Sequence, residues 1–192
     1  MNLLYKYRGL SSFRFFVDIV LKNRVYAAPY FDLNDPMEGL YLYNAGELDR
    51  GIRSRLQDEK QKTRLCSFSE RDDIELIWAH YAEGHRGVAV GVEVDPGRYL
   101  VKPIVYGDPY FLNRSDIHND SVIDILTRKM KPWRYEKEVR AFVTGKHFIQ
   151  VSVREIVLGS RMSNQDIGFV RDLVERINPS VVIRTAPVAP GA

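Results

Sequence analysis

Apolar residues in this chain come in short runs that switch between a period of two and a period of about 3.6, so strands and helices interleave without regular alternation. Residues 3–7 are apolar and aromatic, end at Arg8 and are broken by Gly9, which predicts a first strand. Phe13, Phe16, Val17, Val20 and Leu21 then share one helical face behind Ser11 or Ser12, either of which can cap the helix. Residues 25–28 predict a short strand closed by Pro29, and 30–39, YFDLNDPMEG, have the Asn, Asp, Pro and Gly content of an ordered loop. The charge-rich stretch 44–62, with sparse Leu48, Ile52 and Leu56, predicts an exposed amphipathic helix. A strand at 64–69 and a helix at 74–82 follow, the helix presenting Ile74, Ile77, Trp78 and Tyr81 before Gly84 and Gly87 stop it. Residues 88–94, VAVGVEV, predict an interior strand with 99–106 as its hairpin partner across Pro96 and Gly97. A helix over 116–129, capped by Ser115 or Asp116, precedes a strand at 133–143. Short strands at 148–153 and 156–158, a clean helix at 164–177 and a strand at 181–185 complete the pattern. The expected fold is a single α+β domain over 1–188, built on a mostly antiparallel, twisted or split sheet with flanking helices, and 189–192 are expected to fray.

Composition narrows the function classes without choosing one. A chain of 192 residues can bury a full core, and 28 basic against 25 acidic residues are too balanced to imply nucleic-acid binding from charge alone. The single cysteine, Cys66, excludes a disulfide within the chain and a multi-cysteine zinc site, and it fits a reducing compartment. Lys6 and Arg8 interrupt the first apolar residues, so neither a signal peptide nor an anchor is expected. No run approaches the roughly 20 apolar residues that span a bilayer, and the expectation is a cytoplasmic protein with no membrane partner.

Candidate chemistry concentrates in 133–143, WRYEKEVRAFV. Strand alternation would put Glu136, Glu138, Arg140 and Phe142 on one face, and two neighbouring carboxylates repel unless a cation, a metal or a substrate hydroxyl lies between them. Together with Arg8 on the first strand and Ser67 and Ser69 on a later one, this order resembles the Arg, Ser-x-Ser, Glu-x-Glu signature of ADP-ribosyltransferases. The resemblance implies an ADP-ribosyltransferase-like fold with NAD as substrate. By that likeness Arg8 would hold the dinucleotide phosphate and Ser67 would support a catalytic Glu138 on the nicotinamide ribose, with Glu136 activating the acceptor. A carboxylate there stabilises the oxocarbenium-like charge, and the ring of Tyr81 could stack the nicotinamide. The chain departs from the signature at Phe68, where the family usually carries threonine. The residues alone equally allow a structural network in which Arg8 and Arg140 neutralise the two glutamates while Ser67 and Ser69 line a strand.

A longer resemblance spans nearly the whole chain. LYKYRGL from Leu4, FDLNDPMEG, CSFSE, IWAHYAEGHRGVAVGVE and W-x-YEKEVR are similar in order and spacing to the domain-of-unknown-function family numbered 2971, which is bacterial or phage-borne and implies no settled activity. It singles out Tyr5, Arg8, Asn34, Asp35, Glu38, Ser69, His80, Tyr81, Glu136, Glu138 and Arg140. The expected catalytic pair is therefore Glu138 and Glu136, with Arg8, Ser67, Ser69, Tyr81, His80, Arg140, Tyr5 and Asn34 binding the nucleotide. Asn34, Asp35 and Pro36 with Glu38 read either as an Asx-type turn or as a pocket wall. His80 and His85 are poorly spaced for one helix face. With Asp35, Glu38 and the glutamate pair they could still assemble the magnesium- or manganese-type site of a nuclease, although no metal ligand set is assigned. Lys129, Lys131, Arg134 and Lys137, interleaved with Trp133 and Tyr135, read as a phosphate or nucleic-acid groove or as a solvated loop. A non-catalytic nucleotide- or nucleic-acid-binding module is thus the alternative to an NAD-using enzyme.

Overall fold

In the computed structural model, which describes residues 3–187, Gly9 ends β1 (Leu4–Arg8) and the chain turns into α1 (Phe13–Lys22). The expected frayed tail at 189–192 lies outside the described residues. Helix α1 buries Phe16, Ile19 and Val20, leaves Leu21 exposed, and stops at a left-handed Asn23. β2 (Arg24–Tyr26), β3 (Ala28–Pro29) and a 3-10 turn, Tyr30–Asp32, follow. α2 (Arg50–Lys62) starts later than the charge pattern, where the Asp49 side chain accepts the Ile52 amide. Next come β4 (Thr63–Ser69), α3 (Glu75–Tyr81), β5 (Val88–Glu93), β6 (Leu100–Pro103), β7 (Val105–Gly107) and α4 (Ser121–Leu126). β8 (Arg128–Met130), β9 (Glu138–Thr144), β10 (Phe148–Gln150), β11 (Ser152–Leu158), α5 (Asn164–Ile177) and β12 (Val182–Thr185) complete the chain.

The main sheet runs β12-β11-β5-β1-β4-β9-β6, with β3 also paired to β4, and every pair in it is antiparallel except β11 with β12. The fold is α+β on a mostly antiparallel, open, twisted sheet, as the pattern predicts. Its decisive feature is a split in the middle. β1 pairs with β5 along its whole length, from Leu4↔Val92 to Arg8↔Val88, yet meets β4 only at Tyr5↔Ser69. β4 instead spends its length on β9, from Thr63↔Thr144 to Ser69↔Glu138. A gap is left between Lys6 and Arg8 on one side and residues 65–68 on the other, bridged where the Lys6 ammonium donates to the Ser67 carbonyl at 2.7 Å.

Three apolar clusters hold the halves. Phe16, Val20, Val90, Ile156, Val170 and Val174 join α1 and α5 to one sheet face. Leu56, Leu65, Ile125, Leu126 and Phe142 pack α2 and α4 onto the β4/β9 half. Tyr7, Ile77 and Trp78 seat α3, with the Trp78 indole N–H donating to the Asp72 carbonyl at 2.7 Å. Each such side chain contributes about 1.5–3 kcal/mol on burial.

Three expectations are corrected. Residues 99–106 do not pair with β5, because β1 and β11 already occupy both of its edges; after the Asp95 turn the chain crosses to β9 as β6 and then to β8 as β7. The helix expected over 116–129 is confined to α4. Thr127 folds its hydroxyl back onto the Asp124 carbonyl at 3.1 Å, and the residues beyond it become β8. The strand expected at 133–143 begins only at Glu138. Lys131–Glu136 is a 3-10 turn started by Pro132, and Lys137 is left-handed at φ 46°.

Candidate functional site

The split opens into a cleft of about 590 Å³, within the size range of small-ligand sites. Strand alternation on β1 turns Lys6 and Arg8 into it while Tyr5 and Tyr7 face the α3 cluster. Cys66, Ser67 and Ser69 line it from β4, Asn34 and Glu38 from the loop before α2, and His80 and Tyr81 from α3. Lys129, Glu136 and Glu138 close its far end.

That far end is a buried charge network. The Glu138 carboxylate accepts from Arg140 Nε at 2.6 Å and from Lys129 Nζ at 2.9 Å. Arg140 also donates to both oxygens of Glu38, at 2.7 and 2.6 Å, and to the Leu126 carbonyl at 2.5 Å. Lys129 Nζ reaches Glu136 at 2.5 Å and Glu38 at 3.4 Å, and the Tyr81 hydroxyl donates to the other Glu136 oxygen at 2.8 Å. Three carboxylates thus share two cations, so one negative charge is in surplus. Burial alone would raise Glu138, but Arg140, Lys129 and Ser67 outweigh it and hold the carboxyl at about 2. At Glu136 burial wins over Lys129 and Tyr81, and at Glu38 over Arg140, so both are pushed up. Glu138, the carboxylate that touches both cations through hydrogen bonds, is the one held ionised.

The near end is its electrostatic opposite. Arg8 Nε is buried with no hydrogen-bond partner, and among the described residues the guanidinium faces no carboxylate. Burial pulls Arg8 below its ordinary value. It does the same to Lys6, where the neighbouring Arg8 adds to the effect. Cys66 and Glu138 act on Lys6 in the opposite sense without reversing it, and among the described residues neither cation makes an ion pair, so both stand on one wall of a cleft whose other end is anionic.

The structure brings most of the expected residues together, by routes that differ from the expected ones. Arg8, Ser67 and Ser69, and Glu138 sit on three adjacent strands, β1, β4 and β9. Glu136 reaches Glu138 through the 3-10 turn and their common partner Lys129, not through strand alternation. Ser69 holds that turn, its hydroxyl donating to the Glu136 carbonyl at 2.8 Å and accepting the Arg71 amide at 3.1 Å. Arg140 does not line the cleft; it is 1% exposed and lies behind the glutamates. Arg8 takes no part in neutralising them. Asn34 lies beside the Tyr81 hydroxyl, and the exposed ring of His80 stands edge-on to that of Tyr81 at 6.2 Å. Tyr5 contributes to the cleft wall but spends its hydroxyl on Glu155, at 2.7 Å. Asp35 makes the Asx turn, accepting the Met37 amide at 2.9 Å. His85 is turned away onto Glu75 and stacks on Trp78, and no cluster of three His, Cys, Asp or Glu among the described residues is placed to hold a metal ion. No helix among them is long and apolar enough to cross a membrane.

Lys129, which the sequence places in a basic run read as a groove or a solvated loop, instead has its side chain buried among Glu38, Glu136 and Glu138. In comparisons with known proteins, no protein-family model, curated protein or solved structure matches the chain.

Proposed function

We propose that the cleft binds a nucleotide, with NAD as the substrate, and that the protein is an ADP-ribosyltransferase-like enzyme acting at the nicotinamide ribose. The observation that carries this reading is the charge division of one cleft: Arg8 and Lys6, neither in an ion pair among the described residues, at one end, and a fixed carboxylate pair with Tyr81 at the other. A diphosphate answers the first and a ribose with a cationic leaving group answers the second. The ordered likeness of Arg8, Ser67 and Ser69, and Glu136 and Glu138 to that family's signature points the same way, while the likeness to family 2971 singles out several of the same residues without implying a reaction. In this reading the nicotinamide–ribose bond breaks with its electron pair leaving on nicotinamide. Glu138, held ionised, stabilises the developing positive charge. Glu136, whose burial raises its proton affinity, takes the proton of the attacking water or hydroxyl.

Titration with NAD under thermal shift, coupled to an assay for released nicotinamide, tests this. Stabilisation and release are expected in the parent protein. Glu138→Gln is expected to lose release, and Arg8→Gln to lose the NAD-induced shift while melting normally. Neither shift nor release from the parent protein would refute the proposal. A second reading, a nucleotide-binding module without turnover, is favoured by the engagement of both Glu138 oxygens with cations. It is distinguished by a thermal shift without nicotinamide.

A further inference from the structure

We infer that the mouth of the cleft is a binding surface for a single-stranded polynucleotide. Phe15 of α1 lines one lip and Tyr26 of β2 lines the cleft from another element, and they are 40% and 39% exposed. Isolated exposed aromatics are ordinary. These differ in having guanidinium groups repeatedly beside them. Arg14 lies 4.8 Å and Arg8 5.8 Å from the Phe15 ring centroid. On the Tyr26 side, Arg64 Nη1 stands 3.4 Å from the Tyr26 hydroxyl, and the Tyr26 ring meets Phe148 at 5.8 Å. Arg24 covers Phe148 at 3.7 Å.

Charge decides what these rings face. Arg24 is neutralised by Asp18 through two 3.0 Å bonds, but Arg8, Arg14 and Arg64 make no ion pair among the described residues. The acidic groups nearest the mouth are Asp32, which lines the cleft, and Glu83, whose carboxylate is occupied by the Leu10 and Ser11 amides at 3.1 and 3.0 Å. Three guanidinium groups with no ion pair among the described residues, beside partly exposed aromatic rings, match a polymer that alternates phosphates with flat bases. The strand must be single, because bases paired in a duplex cannot stack on protein rings. The Lys131, Arg134 and Trp133 region is less suited. Lys129 there is consumed by the glutamates, and Lys131 is paired with Asp108 at 2.9 Å. Arg8 is shared with the nucleotide site proposed above, whereas Arg14 and Arg64 lie outside that cleft lining, so strand binding is measured without NAD and read through Phe15, Arg14 and Arg64.

Fluorescence anisotropy with a short labelled oligo(dT) and the matching oligo(U), over a salt series, tests the inference. Binding is expected to weaken with salt with a log–log slope of about −2, from roughly three phosphate contacts. Phe15→Ala is expected to bind about tenfold more weakly, and Arg14→Gln and Arg64→Gln several-fold more weakly, all with parental melting curves. A Lys131→Gln, Arg134→Gln double variant is expected to bind like the parent. Preference for either oligonucleotide supports the inference and names the sugar. Absence of binding at low salt, equal binding of a duplex or of polyglutamate, or loss of binding in the Lys131/Arg134 variant with Phe15→Ala unaffected would overturn it.

Discussion

Replacing Arg140 by methionine removes the hub of the buried network while keeping most of the side-chain volume. Arg140 is 1% exposed and donates to Glu38, Glu138 and the Leu126 carbonyl, so the variant leaves three buried carboxylates facing Lys129 alone. Breaking one buried pair costs about 3–5 kcal/mol, because the surviving charge stays out of water. Two carboxylates lose their partner here, but Glu38 and Glu136 already bind protons more readily than usual and can discharge part of the excess. We therefore expect about 4 kcal/mol of lost stability at pH 7. For a chain of this length each kcal/mol moves the melting temperature by roughly 2–4 °C, so a fall of roughly 8–16 °C should follow. Urea denaturation of both proteins at pH 7 and pH 5 checks the sign as well as the size. Protonation relieves the stranded carboxylates, so the deficit must shrink at pH 5. A loss below about 1 kcal/mol at pH 7, or a deficit that grows on acidification, would refute the account of these residues as a coupled network.

The same groups set the pH dependence of stability. Glu138, lowered from 4.5 to about 2, contributes on the order of 3 kcal/mol that is present above about pH 4.5 and lost as pH falls toward 2. Glu38 and Glu136, being raised, work in the opposite sense, favouring the fold below their ordinary values and ceasing to as pH rises through their folded ones. Urea midpoints against pH should therefore lose the acid limb in Glu138→Gln and the opposing slope in Glu136→Gln. Arg8→Gln should melt at or slightly above the parent temperature, since it removes a buried cation that has no partner. Gly159→Ala should cost about 3 kcal/mol in chemical denaturation, because its Cβ would lie 2.2 Å from the His85 carbonyl oxygen. Asp49→Ala should cost about 1 kcal/mol through loss of the cap on α2.

Elements whose burial follows from their own residues were legible in the sequence. The period of Ile167, Val170, Leu173 and Val174 defines α5 to its observed ends, and Asn34-Asp35-Pro36 announces the Asx turn that holds Glu38. Glu138 and Arg140 were legible as same-face partners because they lie on a true strand. What was not legible depended on a partner distant in sequence. Lys129 reads as one cation in a solvated basic run, and only the early end of α4 and the pairing of β8 with β7 carry it to three carboxylates. The hairpin expected after β5 failed for the same reason. Local turn chemistry at Pro96 and Gly97 could not reveal that β1 and β11 had already taken both edges.

The split in the sheet explains why so many of the buried charged residues collect here. A fully paired β1–β4 ladder would bring Lys6 and Arg8 against β4 without room for a ligand, and the desolvation of two unpaired cations would oppose folding. With one register pair holding the strands, the cations keep a cavity in front of them and only part of that cost is met by the protein, through Ser67. Across the same cavity each of the three glutamates touches a cation, so the anionic end is held in place while the cationic end makes no ion pair among the described residues. An anionic ligand group would supply the missing counter-charge at Arg8 without disturbing the network at Glu138. Stabilisation by inorganic diphosphate should accordingly be abolished by Arg8→Gln but retained in Glu136→Gln, a separation that a cleft organised only by its shape would not give.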